Sequence, residues 1–163
     1  MSAVRICLAA AALFAASVAL SFVHLGGNPR SRAATGALLD GSGVPADVLH
    51  VLETKCGDCH SEKTSWPAYS RLAPVSWFIE HDVREGREHL NMSQWQHYTS
   101  QARIDLLSRI ASEVRSGEMP LRQYLILHPQ ARLTSEEQQL IYDWAKSERR
   151  HIRQQIAGAQ AKP

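Results

Sequence analysis

The first 25 residues differ from the rest of the chain in their pattern of apolar and polar positions. One positive residue, Arg5, precedes an apolar run over 6–23 that carries no charge and is interrupted only by Ser17 and Ser21. The run is apolar on every side, unlike the one-sided stripe of a surface helix. As a helix it would rise about 27 Å, close to the ~30 Å hydrocarbon core of a bilayer. We predict that residues 1–25 are a signal-anchor or a cleaved signal peptide.

Both alternatives export the rest of the chain. A signal-anchor would leave the helix in the bacterial cytoplasmic membrane, with Arg5 on the cytoplasmic side. A cleaved signal peptide would leave a soluble periplasmic protein, and small-x-small sites for cleavage occur at 19–21 and 31–33. We expect the exported part to be tethered to the membrane on its extracytoplasmic side.

Beyond this segment the apolar positions repeat at helical spacing. Residues 26–43 are rich in Gly, Ser, Ala, Asn and Arg and predict a flexible tether. Residues 44–152 are predicted to form the domain and residues 153–163 a disordered tail. No alternating strand pattern appears, so the predicted fold class is all-α with an N-terminal hydrophobic helix.

Within 44–152 the pattern predicts four or five short helices and two long loops. The first helix leads from Val44 into Cys56, and the second follows Pro74 and ends near Leu90. Ser93 is expected to cap a short turn. A stripe from Ile104 to Val114 predicts a helix that stops at Gly117. The last helix begins at a Thr134–Glu137 capping box. Residues 61–74 and 118–132 are predicted to be loops.

Composition narrows the class of protein. The net charge is +2, with 18 basic and 16 acidic residues, which argues against a nucleic-acid-binding protein because such proteins show a strong basic excess. Three cysteines are too few for a disulfide-rich scaffold.

Two of those cysteines belong to Cys56-Gly57-Asp58-Cys59-His60, the Cys-x-x-Cys-His pattern of covalent c-type haem attachment. Cysteines three positions apart lie on one side of a helical turn. They can both reach one porphyrin there, and the next residue can offer its imidazole to the iron. The pattern predicts one covalent haem c, with His60 as an iron ligand.

Three other chemistries use part of this pattern. A redox-active dithiol would be expected in a βαβ context, and a zinc site would need a second ligand pair. The sequence shows neither, and a plain disulfide is the third alternative.

The second axial ligand is predicted to be Met119, in the Gly117–Pro120 segment, because Pro120 restricts the loop that would present it. A sixth position left open is a further possibility. The alternative side chains are Met92, His50, His81, His89, His97 and His128.

Aromatic side chains pack well against a flat apolar cofactor. Of the four tryptophans, Trp66 and Trp77 are the predicted haem-wall positions, because they follow the motif most closely.

Taken together, these segments resemble the haem-binding domain family of bacterial monohaem c-type cytochromes. The resemblance extends over about 44–145 and is carried by the haem motif with Ser61, Trp66-Pro-Ala-Tyr-Ser70, Ala73-Pro-Val-Ser-Trp77, His81 to Leu90, Asn91, Trp95, Gly117-Glu-Met-Pro120, Leu127-His-Pro129, Ala131, Leu133 and Trp144. It implies a cytochrome c-like fold, thioether bonds at Cys56 and Cys59, and axial ligation by His60 and Met119.

The expected function is therefore one-electron transfer by a membrane-tethered cytochrome that is not itself an enzyme. Lys55 and Lys63 flank the motif and are candidates for docking an acidic redox partner protein. The alternative is a haem-based sensor or gas-binding module, or the haem domain of a larger oxidoreductase complex.

Overall fold

The computed structural model describes residues 3–24, 28–31 and 36–160, and in these residues the chain is helical with no strand. This agrees with the all-α prediction. The α-helices are α1 (Ala3–Leu20), α2 (Ala46–Lys55), α3 (Gly57–His60), α4 (Val75–His89), α5 (Ser100–Ser116), α6 (Arg122–Leu127) and α7 (Ser135–Gln160). Short 3₁₀ helices lie at Pro29–Ser31, Ala68–Arg71, Met92–His97 and Pro129–Ala131.

Helix α1 stands apart from the core. None of its residues is buried, and its mean hydropathy of 2.2 over 18 residues makes it long and apolar enough to cross a membrane. Its last turn nevertheless touches the rest of the chain. The Ser17 hydroxyl donates to the Ala73 carbonyl at 2.5 Å, and the Ala73 N–H donates to the Ser21 hydroxyl at 2.9 Å.

The hydrophobic core is built mainly by α5 and α7, the two longest helices after the apolar segment. Leu107 of α5 and Ile141 and Ala145 of α7 are fully buried. As the apolar stripe predicts, α5 ends at Gly117, which adopts a left-handed conformation with φ of 73°. The predicted capping box is also present, since the Thr134 hydroxyl accepts from the Glu137 N–H and the Glu137 carboxylate accepts from the Thr134 N–H.

Two predicted domain boundaries are wrong in the structure. The predicted tether over 26–43 packs at its end, where Leu38 and Leu39 are buried in the core and the Leu39 N–H donates to the Met92 carbonyl at 2.9 Å. The predicted disordered tail over 153–163 is helical as far as Gln160, and Ile156 packs against the core. The apolar residues in each segment were too few to register as a pattern. Residues 26–27 and 32–35 of the predicted tether and 161–163 of the predicted tail lie outside the described residues.

Smaller corrections concern turns. The predicted loop at 118–132 contains α6, a helix too short to show a 3.6-residue period. The turn carrying Trp95 is capped by Asn91, whose side chain accepts from the Ser93 N–H at 3.1 Å, rather than by Ser93.

Candidate functional site

The predicted motif forms a single tight turn. Cys56 ends α2 and begins α3, and its carbonyl accepts from the Cys59 N–H at 3.3 Å and the His60 N–H at 3.0 Å. Both thiols are free, and both line one cavity together with His60. The two thiols and the imidazole therefore lie on the same side of this turn.

Helix α4 approaches this turn unusually closely at Gly86. A Cβ atom at this position would lie 2.8 Å from the Cys59 carbonyl oxygen and 3.1 Å from the Cys59 Cβ. Glycine is unfavourable in a helix interior by roughly 0.5–1 kcal/mol relative to alanine. Its presence in α4 is explained by this contact, because any side chain would push α4 away from α3.

The close approach sets the orientation of His60. The Gly86 carbonyl lies 2.9 Å and the Leu90 carbonyl 3.1 Å from His60 Nδ1. Carbonyl oxygens only accept, so Nδ1 carries the proton and Nε2 keeps its lone pair. Burial lowers the pKa of His60, against the opposing effect of the two carbonyls, and favours the neutral ring. A neutral imidazole with one nitrogen held by backbone oxygen is the form that ligates metals.

The thiols are also protonated in this environment. Burial raises the pKa of Cys56 to about 12 and that of Cys59 to about 12, with the neighbouring thiol and carboxylates adding to the effect. Thiol–disulfide chemistry needs a thiolate with a lowered pKa. The raised pKa values of both thiols argue against a redox dithiol. Among the described residues no three His, Cys, Asp or Glu side chains cluster as a metal site.

The cavity that these residues share has a volume of about 790 Å³, within the roughly 300–1,000 Å³ of small-molecule and cofactor sites. Its wall is largely apolar, and α4 and α5 contribute more residues to it than any other two helices. Met119, predicted as the second axial ligand, lines the same cavity. The apolar residues of the wall include Leu52, Val75, Phe78, Ile79, Val83, Leu90, Leu106, Ile110, Val114, Pro120, Leu121 and Leu127.

This geometry agrees with a comparison against protein-family models, in which the model of the haem-binding domain matches residues 15–147. The chain belongs to the haem-binding domain family. Searches of curated proteins and of solved structures found no match. The matched range begins inside α1 and includes the packed segment before α2.

The predicted alternatives to Met119 differ in whether they line the cavity. Met92, His89 and His128 also line this cavity, whereas the described wall does not include His50, His81 or His97. Met92 is completely buried in the hydrophobic core. Met119 is half-buried in the turn that follows α5.

The two predicted wall tryptophans have different surroundings. Trp66 lines the cavity, and the Arg30 guanidinium carbon lies over the Trp66 ring, 4.1 Å from the ring centre. The wall formed by the described residues does not include Trp77, so that prediction is wrong. Trp77 directly precedes Phe78 on α4 and so lies about 100° around the helix from it. The Trp77 indole N–H donates to the Val23 carbonyl at 2.8 Å.

An aromatic cluster beside the haem motif escaped the sequence analysis. The ring of Tyr124 stacks on His128 at 4.3 Å, and the Tyr124 hydroxyl donates to the Asp58 carboxylate at 2.8 Å. The Tyr69 hydroxyl lies 2.6 Å from His128 Nε2. Burial and the Asp58 carboxylate raise the pKa of Tyr124. The cluster connects α6 to α3 beside the cavity. The indication of this contact in the sequence was the carboxylate of Asp58 inside the motif.

Lys55 has a structural role that the sequence did not show. Its Nζ donates to the Gln130 carbonyl at 2.7 Å and the Arg132 carbonyl at 3.2 Å, and lies 3.5 Å from the Glu137 carboxylate. These contacts fix the end of α2 to the start of α7. Lys63 is exposed and remains the candidate for docking a partner.

Proposed function

We propose that this haem-binding protein is a membrane-anchored monohaem c-type cytochrome that carries single electrons and catalyses no reaction of its own. The observation that supports the proposal is that Cys56, Cys59, His60 and Met119 all line one apolar cavity. Two thiols, one neutral imidazole and one thioether are the donor set that a covalently attached, six-coordinate haem requires.

Each residue has a distinct role in this proposal. Cys56 and Cys59 would hold the group through thioether bonds, His60 Nε2 would ligate the iron, and the Met119 sulfur would complete the axial pair. When bound, the haem supplies the one-electron redox chemistry. The protein excludes water from the site and, through the Gly86 carbonyl, fixes the His60 ring and raises its basicity.

The proposed location follows from α1. The helix has the length and apolar composition of a membrane span, and Arg5 precedes it on the short side. Retention of α1 would place the haem-binding domain on the extracytoplasmic face of the bacterial cytoplasmic membrane, facing a redox partner protein there.

Covalent attachment is tested by denaturing electrophoresis of protein expressed with haem-attachment machinery. The wild type should keep haem colour on the gel, and Cys56→Ser with Cys59→Ser should lose it. The Cys7→Ser variant is the matched control and should keep the colour. A wild type that releases its haem on denaturation contradicts the c-type assignment.

Axial ligation is tested by the absorption spectrum in both redox states. Met119→Ala should lose the weak long-wavelength band of sulfur-to-iron(III) ligation and gain carbon monoxide binding, because it removes the thioether. Met92→Leu, a near volume-conserving change in the same wall, should keep the wild-type spectrum. A high-spin wild type that binds carbon monoxide rapidly would contradict electron transfer and favour the sensor or gas-binding alternative.

A further inference from the structure

The contacts between α1 and the haem-binding domain determine the height of one loop along the apolar helix. Ala73 bonds to Ser17 and Ser21 through its carbonyl and its N–H, and the Trp77 indole reaches the Val23 carbonyl. Ala73 therefore lies level with the last turn of α1. Ser17 precedes the end of that helix by three residues, or about 4.5 Å.

A second set of contacts holds the domain in this orientation. Glu80 is almost fully buried, with its carboxylate 2.9 Å from His24 Nδ1 and 3.0 Å from Arg30 Nε. The Arg87 guanidinium donates to the Pro29 carbonyl at 2.7 Å. The chain that follows α1 is thus bonded to one side of α4, so the domain is not suspended on a loose tether.

The residues beside Ala73 are apolar and exposed. Leu72, Val75 and Phe78 have exposed fractions of 40%, 43% and 69%. Val75 and Phe78 are three positions apart on α4, so they share one helix face, and both line the haem cavity. Together with Leu72 they form an exposed apolar rim beside that cavity. Arg71, the residue before Leu72, is exposed and suits an anionic lipid headgroup.

We propose that this apolar rim, formed by Leu72, Val75 and Phe78, rests on the outer surface of the lipid bilayer, so that this side of the haem cavity faces the membrane. The inference rests on the proposed membrane anchoring by α1. If α1 spans the bilayer, its last turn lies where the hydrocarbon core meets the headgroups. The rim lies at the same level, and Trp77 sits where aromatic residues prefer the interface.

In this proposal the side of the haem cavity that carries the rim faces the membrane. A cytochrome on a flexible tether would have no such fixed orientation. Lipid is the occupant favoured here because the rim is continuous with the lipid-facing helix. Contact with a second copy of the chain or with a soluble partner is an outcome of the test that would overturn the proposal.

The test uses the full-chain holoprotein in vesicles of phosphatidylethanolamine and phosphatidylglycerol. Leu72→Cys, in a Cys7→Ala background, is labelled with a thiol-reactive diazirine and irradiated, and the labelled peptide is identified by mass. Leu72 does not line the cavity among the described residues, so haem does not shield it. Ser147→Cys, exposed on α7, is the matched control.

We expect phospholipid adducts at position 72 to exceed those at position 147 by about tenfold or more. Comparable adduct levels at the two positions, or an adduct of the mass of a second chain at position 72, would overturn the proposal. Flotation of the same vesicles after alkaline washing tests the anchor separately. Protein that floats but gives no lipid adduct contradicts only the membrane-facing rim, whereas protein that is washed off contradicts the anchoring as well.

Discussion

The α5–α7 pair and the α3–α4 pair of the haem-binding domain are held together in different ways. Between α5 and α7 the core contacts are mainly apolar, and Leu107 and Ile141 have no exposed surface. One hydrogen bond also joins the pair, from the Arg149 guanidinium to the Ser108 hydroxyl at 2.9 Å. Between α3 and α4 the contacts are polar and involve the backbone. His60 bonds to two carbonyls of the α4 end, and Arg87 donates to the Ser61 carbonyl at 2.8 Å and the Thr64 hydroxyl at 2.9 Å.

The difference reflects what each pair must do. Close-packed apolar side chains give stability but tolerate small shifts in helix position. A ligating imidazole needs a defined direction, which hydrogen bonds to a rigid helix supply. We therefore expect changes in the α5–α7 pair to lower stability while leaving haem ligation intact, and changes in the α3–α4 pair to alter ligation as well.

The largest effect is expected for Leu107→Ala in the packed pair. Removing a fully buried leucine from a core leaves a cavity and should lower the free energy of unfolding by about 2–5 kcal/mol. Leu107 is not part of the described cavity wall, so the haem spectrum should not change. Urea unfolding and absorption spectra check both expectations. A changed axial-ligand band in the folded variant would show that the α5–α7 pair also influences haem ligation.

Arg87→Met tests the polar contacts of the other pair. The change leaves the Ser61 and Pro29 carbonyls without this charged donor and should cost about 2–3 kcal/mol. Hydrogen exchange should rise first in residues 28–31 and 61–64. Arg153→Met, at an exposed position of α7, is the control and should change stability by less than about 0.5 kcal/mol. Equal effects of the two variants would contradict the role given to Arg87.

Gly86→Ala tests the close approach of α4 to the haem motif. The added methyl group would meet the Cys59 carbonyl, and we expect a cost of about 1–3 kcal/mol together with a changed axial-ligand spectrum. Gly158→Ala is the matched control, because a Cβ there has no neighbour within 4 Å. That variant should be neutral or stabilising by up to about 1 kcal/mol with an unchanged spectrum. An unperturbed Gly86→Ala spectrum would contradict the proposed positioning of His60 by α4.

The same contrast explains which features the sequence could predict. The α5 stripe and the Thr134–Glu137 box are local patterns, and the structure has both where they were expected. The Cys56–His60 motif is also local, and its geometry follows from one turn of helix. Gly86 and Arg87 act on residues more than 20 positions away, and the sequence pattern carries no record of such partners.

The errors have a related cause. Leu38 and Leu39 are only two apolar residues in a segment rich in small and polar ones, so composition indicated a tether although the pair is buried. Trp77 was assigned to the haem wall from its place in the chain. On α4 the cavity face carries Phe78 and Asp82, and the face of Trp77 is turned toward the segment after α1. A helix separates neighbours in sequence onto different surfaces.

The smallest expected effect is that of a change at Thr134, in the cap of α7. This cap lies where the α5–α7 pair comes close to the α3–α4 pair, through the contact between Glu137 and Lys55. Thr134→Ala removes the hydroxyl that caps α7 and should lower the free energy of unfolding by about 1 kcal/mol, while Thr134→Ser keeps an oxygen there and should lose less. Glu137, the other member of the capping box, also faces Lys55, the residue before Cys56. If the pairs are as separate as their contacts indicate, hydrogen exchange should rise in the first turn of α7 and remain unchanged in α3. Faster exchange at residues 57–60 would instead show that the Lys55 contacts carry strain at the α7 cap into the haem motif.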